Sequence, residues 1–203
     1  NLMNISRLLL IVLIALFAIF ADAQIGRRFP SERKIVKDPV TGTMLTFLTS
    51  TPNGDSKIYQ THNQWTSDGQ WLIFRSNRVP GEAIAVNEKT GEMVQVTEGG
   101  YSGMLNIARK SMKLYFMRDP SRKPGETFRP PAVAPGATSA AQPQAARTPP
   151  PLRPMQIIEV DLAKVFADSA AGKMKAAEAY QRVVGTTPAE INTCRRFLSA
   201  RIA

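Results

Sequence analysis

The 203-residue chain predicts an all-β fold on three observations. The first is a strand-like stretch, Gln70 to Arg78. It alternates aromatic and β-branched residues with polar ones and follows an Asp68-Gly69 turn. The second is a hairpin: Ala83 to Val86 going out, Glu88-Lys89-Thr90-Gly91 turning, Met93 to Thr97 returning. Gly91 can take the positive φ that such a turn needs. The third is an internal repeat. Trp71–Asn77 matches Lys113–Asp119 at an offset of 42 positions, with Leu72 over Leu114 and Phe74 over Phe116. Ile157–Leu162 then takes the place of the first hairpin strand, and Gln181–Thr187 that of the return strand. A repeat of this length with three or four strands is the pattern of a propeller blade. A blade cannot bury both faces alone, so blades stack around an axis. The expected fold is therefore a partial β-propeller of about two WD40-like or Tol-type blades. A plain antiparallel sheet with accidental internal similarity is the alternative.

Taken in order, the chain begins with a leader. Arg7 supplies a positive charge, Leu8 to Phe20 is unbroken apolar sequence, and Ala21-Asp22-Ala23 is a small-x-small cleavage pattern. The apolar run falls short of the roughly 20 residues of a membrane span. Residues 1–23 are thus expected to be a signal peptide cut after Ala23, with a periplasmic or secreted product and no stable span after cleavage. An uncleaved anchor is the alternative. The single Cys194 excludes an internal disulfide.

Residues 24–120 are expected to hold the first blade and the start of the second. A Pro/Ala-rich stretch then intervenes, assigned to residues 121–154. From Phe128 to Pro154, eight of 27 residues are Pro and seven are Ala. So much proline removes backbone donors and forbids strand or helix, so the stretch reads as a disordered insertion into the second blade. Residues 155–190 complete that blade, and 191–203 form a divergent tail. Within it, Ala163 to Ala179 is either a short helix beside the blade or a long loop, broken at Gly172.

The net charge of +10 is concentrated. Between Arg109 and Arg153 lie nine basic residues against two acidic ones, mostly in the part that reads as unfolded. Aromatic residues are not interleaved with them, so no nucleic-acid partner is expected. An acidic saccharide or an anionic surface fits the charge at least as well.

The residues also carry a family resemblance. Asp38-Pro39-Val40-Thr41-Gly42 with Leu48-Thr49, the segment Tyr59–Arg78 with its Thr66–Gly69 turn, and Thr90–Thr97 resemble the opening of the oligogalacturonate lyases. The resemblance runs from about Lys37 to Glu190. It implies a seven-bladed propeller that cleaves oligogalacturonides by β-elimination in pectin breakdown, a carbon–oxygen lyase using Mn2+. The family's metal ligands and base belong to later blades, and this chain has one histidine. No catalytic or metal residue is therefore assigned, and the chain reads as an N-terminal part with little lyase activity of its own. The alternative is a non-enzymatic periplasmic Tol-type propeller that binds proteins or glycans.

The candidate substrate contacts are His62, Gln64, Arg75 and Arg78. His62 is the one histidine of the chain. Gln64 can meet a sugar hydroxyl. Arg75 and Arg78, around Asn77 in Phe-Arg-Ser-Asn-Arg, offer the planar fork that suits a uronate carboxylate. Trp65 and Trp71 can stack on a sugar, but Trp71 reads first as core, and Asp68 reads as a turn residue.

Overall fold

A computed structural model describes residues 24–121 and 153–188. The expected leader, most of the expected Pro/Ala-rich insertion and the expected divergent tail lie outside the described residues.

Eleven strands and one helix are described: β1 (Arg28–Phe29), β2 (Lys34–Lys37), β3 (Met44–Phe47), β4 (Ser56–Lys57), β5 (Trp71–Arg75), β6 (Ala83–Asn87), β7 (Met93–Gln95), β8 (Ser102–Ile107), β9 (Lys113–Arg118), β10 (Gln156–Asp161), α1 (Leu162–Ala171) and β11 (Gln181–Thr186). Strands β4 to β7 form one antiparallel meander and β8 to β11 a second, each in sequential order. That up-and-down sheet is the unit of a propeller blade. The three-strand units read from the sequence are thus four-stranded: β4 and β8 each add a first strand. β1 adds a fifth to the first sheet, beside β7.

The strand β5 lies within the stretch Gln70–Arg78 read as strand-like from the sequence. It pairs with β6 from Trp71↔Asn87 to Arg75↔Ala83. The β6–β7 turn is built on Asn87, whose side-chain Oδ1 accepts from the backbone N–H of Lys89 and Thr90, each at 3.0 Å. Gly91 takes φ 74°, and a Cβ there would sit 2.1 Å from Ser31 Oγ, so glycine is required twice over.

The core lies between the two sheets. Ile73, Ala85, Val94 and Val96 from the first meet Leu105, Leu114, Phe116, Ile158 and Val160 from the second. All of β6 is buried, as expected of a strand covered on both faces. Its small residues, Ala83 and Ala85, face the second sheet and allow close approach. Ile84 and Val86 face the other way, into a separate cluster with Phe74, Val79 and Met93.

Of the two readings for Ala163–Ala179, the helix is the one formed. Asp161 caps α1 by accepting from Lys164 N at 3.2 Å, and Gly172 ends it in the left-handed region at φ 65°. Gly172 is therefore the helix stop. Trp71 is core, as read: its ring stacks on Phe166 of α1 at 4.2 Å between centroids and 10° between planes. No helix among the described residues is long and apolar enough to cross a membrane.

Candidate functional site

The Asp-Pro-Val-Thr-Gly motif builds the turn of the β2–β3 hairpin, an element the sequence reading did not assign. The Asp38 carboxylate accepts from Val40 N and Thr41 N, and these donors hold it below the usual carboxylate range. The hairpin leads into a strap across the first sheet, and Arg78 is its anchor. The Arg78 guanidinium pairs with Glu32 at 2.7 Å and with Asp55, and it donates to Ser76 Oγ at 2.8 Å. Its side chain is only 5% exposed. Burial alone would raise Glu32. The Arg78 guanidinium and donors from Ser50 and Thr51 outweigh that and bring the carboxyl down to about 2. All of Arg78's visible bonding is thus spent within the fold.

Arg75, three residues earlier, is in a different situation. It ends β5 and shares the face of Ile73, toward the second sheet. Its Nε is buried and has no hydrogen-bond partner, and no ion pair holds it among the described residues. The nearby connection Thr97–Tyr101 crosses from one blade to the next. Burial pushes the Tyr101 hydroxyl up, the charge of Arg75 pulls it back, and the charge of Glu82 adds to the rise. Tyr101 rests edge-on against Phe116 at 6.4 Å. Arg118 ends β9 as Arg75 ends β5. Its guanidinium lies beside Gly99 and reaches two neutral oxygens, Glu98 O and Gln156 Oε1, each at 3.4 Å. Glu82, 1% exposed, underlies the connection. It accepts from Thr97 Oγ1 at 2.7 Å and Gly100 N at 2.8 Å. Burial pushes its carboxyl up against those donors.

The seam between the blades thus gathers Arg75, Tyr101 and Arg118 over a buried carboxyl. Only Arg75 was among the sequence candidates. The doubled glycine before Tyr101, in Thr-Glu-Gly-Gly-Tyr, was the available signal: two glycines with φ 89° and 77° let the backbone turn tightly where the blades meet.

His62 and Gln64 lie elsewhere. After β4 the chain bulges out over Tyr59–Asn63, then rejoins β5 through Gln64 O, which accepts from Ile73 N at 2.9 Å, and through the Trp65↔Leu72 bridge. The bulge sits on the free edge of the first sheet. The His62 ring faces Tyr59 edge-on at 5.5 Å, with Nδ1 3.4 Å from Thr61 Oγ1. No hydrogen bond or ion pair among the described residues links His62 or Gln64 to either arginine. Asp68 is the turn residue, as read, accepting from Thr66 Oγ1 at 2.5 Å and Gln70 N at 3.1 Å.

The described residues do not fit a manganese site. No group of three or more His, Cys, Asp or Glu among them converges, and His62, the one imidazole, has a hydroxyl and an aromatic edge as neighbours.

No family model matches the sequence, and no curated protein matches it. The structure is similar to an oligogalacturonate lyase solved in complex with manganese, at 18% identity and a TM-score of 0.49 over 82% of this chain and 32% of that one. It is similar to an oligogalacturonate lyase from Vibrio parahaemolyticus at 16% identity, with the same TM-score and coverage. The chain spans about a third of the length of these structures.

Proposed function

We propose that the chain is part of an exported protein that binds acidic oligosaccharides, oligogalacturonides in particular, and that the complete protein cleaves them by β-elimination. Export is proposed from the leader, with cleavage after Ala23. The substrate class is proposed from the motif resemblance and from one structural observation, which carries the reading: Arg75 brings a guanidinium to the blade seam without a carboxylate partner among the described residues. A guanidinium with donor capacity left over suits an incoming carboxylate, which it can take through two parallel N–H bonds.

β-Elimination removes the proton next to a uronate carboxylate and expels the oxygen on the adjacent carbon. The charge that builds on the carboxylate must be countered as the proton leaves. Arg75 would grip that carboxylate through two parallel N–H donors. Tyr101 would stand at the sugar's hydroxyls, and Gln64 and His62 would meet a longer chain at the bulge. Arg78, already paired with Glu32 and Asp55, would hold the strap in place. Manganese, where the complete protein uses it, would supply further charge neutralisation.

The test is binding of trigalacturonate, followed by calorimetry, with a neutral trisaccharide as comparator. The expected result is binding of the acidic sugar alone, lost in Arg75→Ala without a change in melting temperature. Equal binding of both sugars, or an unaffected Arg75→Ala, would overturn the reading. A non-enzymatic binding propeller is the second reading. It is favoured by the position of His62, which faces Tyr59 and Thr61 and has no hydrogen bond or ion pair to the seam groups among the described residues. Release of unsaturated uronate by the complete protein, seen as absorbance of the new double bond, separates the two.

A further inference from the structure

We infer that Gln24 becomes the mature N-terminal residue and closes on itself to a pyroglutamyl lactam, a modification that guards the core position beside it. The inference rests on the proposed export and cleavage after Ala23, and the structure adds that the residues from Ile25 onward are held in the fold.

Ile25 is fully buried and belongs to the core between the blades. Its backbone N–H donates to Glu98 Oε2 at 2.9 Å. Gly26 is held from both sides: its N–H donates to Gln95 O at 2.7 Å, and its carbonyl accepts from Ser169 Oγ of α1 at 2.7 Å. Arg27 O accepts from Gln95 N at 2.9 Å, and β1 follows at once. Every residue from 25 to 29 is therefore engaged. A cut after position 24 would put the new terminus on buried Ile25 itself, whereas a cut after Ala23 leaves one exposed residue outside the seam, and that residue is Gln24.

Gln24 is fixed through its carbonyl oxygen, which accepts from Arg27 N at 3.0 Å, and its side chain is exposed. Once Ala23 is removed, its α-amine is free. The unprotonated amine, a form well represented near neutrality for an α-amine, attacks the side-chain amide carbon. A C–N bond forms to close a five-membered ring, the bond to the side-chain nitrogen breaks, and that nitrogen leaves as ammonia. No oxidant, metal or second substrate is needed.

The lactam has no free amine, so aminopeptidases cannot start on it. That matters at this position in particular. Removing Gln24 and then Ile25 would empty a buried site shared by both blades, together with the N–H that satisfies Glu98.

The experiment expresses the full chain with its own leader in an exporting bacterial host. The purified protein is incubated in neutral phosphate buffer, and its N-terminal peptide is weighed. The expected peptide begins at residue 24 and is lighter by one ammonia than the open form. It resists leucine aminopeptidase until pyroglutamyl aminopeptidase is added. A peptide beginning with open Gln24 would overturn the cyclisation while leaving the export reading intact. A start at any other residue would overturn both. Gln24→Ser, which cannot cyclise, is expected to be trimmed through Ile25 and to lose melting temperature. Equal resistance in that variant would overturn the protective role.

Discussion

The strap and the seam bury the same kinds of group and treat them in opposite ways. In the strap, Glu32 leaves water to meet the Arg78 guanidinium, and Asp55 shares that cation. In the seam, Glu82 leaves water to meet a hydroxyl and a backbone N–H, with no cation bonded to it. Arg75, three residues before Arg78, points at the seam and finds no counter-charge among the described residues. Charge-paired burial ties a region together, even though the second carboxylate oxygen of Asp55 has no hydrogen-bond partner among the described residues. Burial against dipoles, beside an unpaired guanidinium, leaves capacity for a ligand. The same short stretch thus supplies one structural arginine and one available one.

The largest test of this contrast is the pair Arg78→Ala and Arg75→Ala. Removing Arg78 strands Glu32 and Asp55, whose side chains are 12% and 15% exposed. Breaking such a pair is expected to cost about 3 kcal/mol, read as a lower urea midpoint with unchanged slope. Arg75→Ala removes no ion pair and is expected to stay within about 0.5 kcal/mol of wild type, while losing the acidic sugar. Equal destabilisation by both would erase the distinction between strap and seam.

Next in size are the pH dependences, which run in opposite directions. The folded pKa of Glu32 is depressed, so its contribution is present above the ordinary 4.5 and is lost as pH falls from there through about 2. Glu32→Gln is expected to flatten that acid limb of a thermal-melt series. The folded pKa of Glu82 is raised, so its contribution is present below the ordinary value and is lost as pH rises through the folded one. Glu82→Gln keeps an acceptor for Gly100 N and is expected to remove that slope. Parallel slopes for the two variants would contradict the contrast.

Much of the sheet was legible because its signals are local. Alternation named β5, the Glu88–Gly91 turn named the hairpin, and the matched Leu-x-Phe pairs named the second blade. β4 and β8 were missed for physical reasons. β4 is two residues long and is interrupted by the bulge that carries His62. β8 contains Gly103 at φ 75° and a register shift, so it shows no clean alternation. The seam was only partly legible. Arg75 and Arg78 look alike as residue types, and what separates them is where Glu32 and Asp55 lie, 46 and 23 positions away in the chain. Tyr101 and Arg118 join the seam through packing between blades, which no window of sequence contains.

The smallest expected effect concerns α1, because it decides what the seam is made of. The helix sits in the β10–β11 connection, where the first blade has only a tight turn, and on connectivity alone it belongs to the second blade. Its contacts cross over. Phe166 stacks on Trp71 of β5, and Ser169 holds Gly26 just before β1. A helix that merely decorated the second blade would tolerate Phe166→Leu, which keeps apolar volume and helix propensity. A helix that closes the seam would lose the aromatic pair, worth about 1 kcal/mol beyond the area it buries. The double variant Phe166→Leu with Trp71→Leu separates the cases. Loss of the stack by either substitution makes the second one cheaper, so the two costs fall short of adding. Strict additivity would mean that the rings touch without mutual stabilisation, and the helix would then be part of the second blade alone.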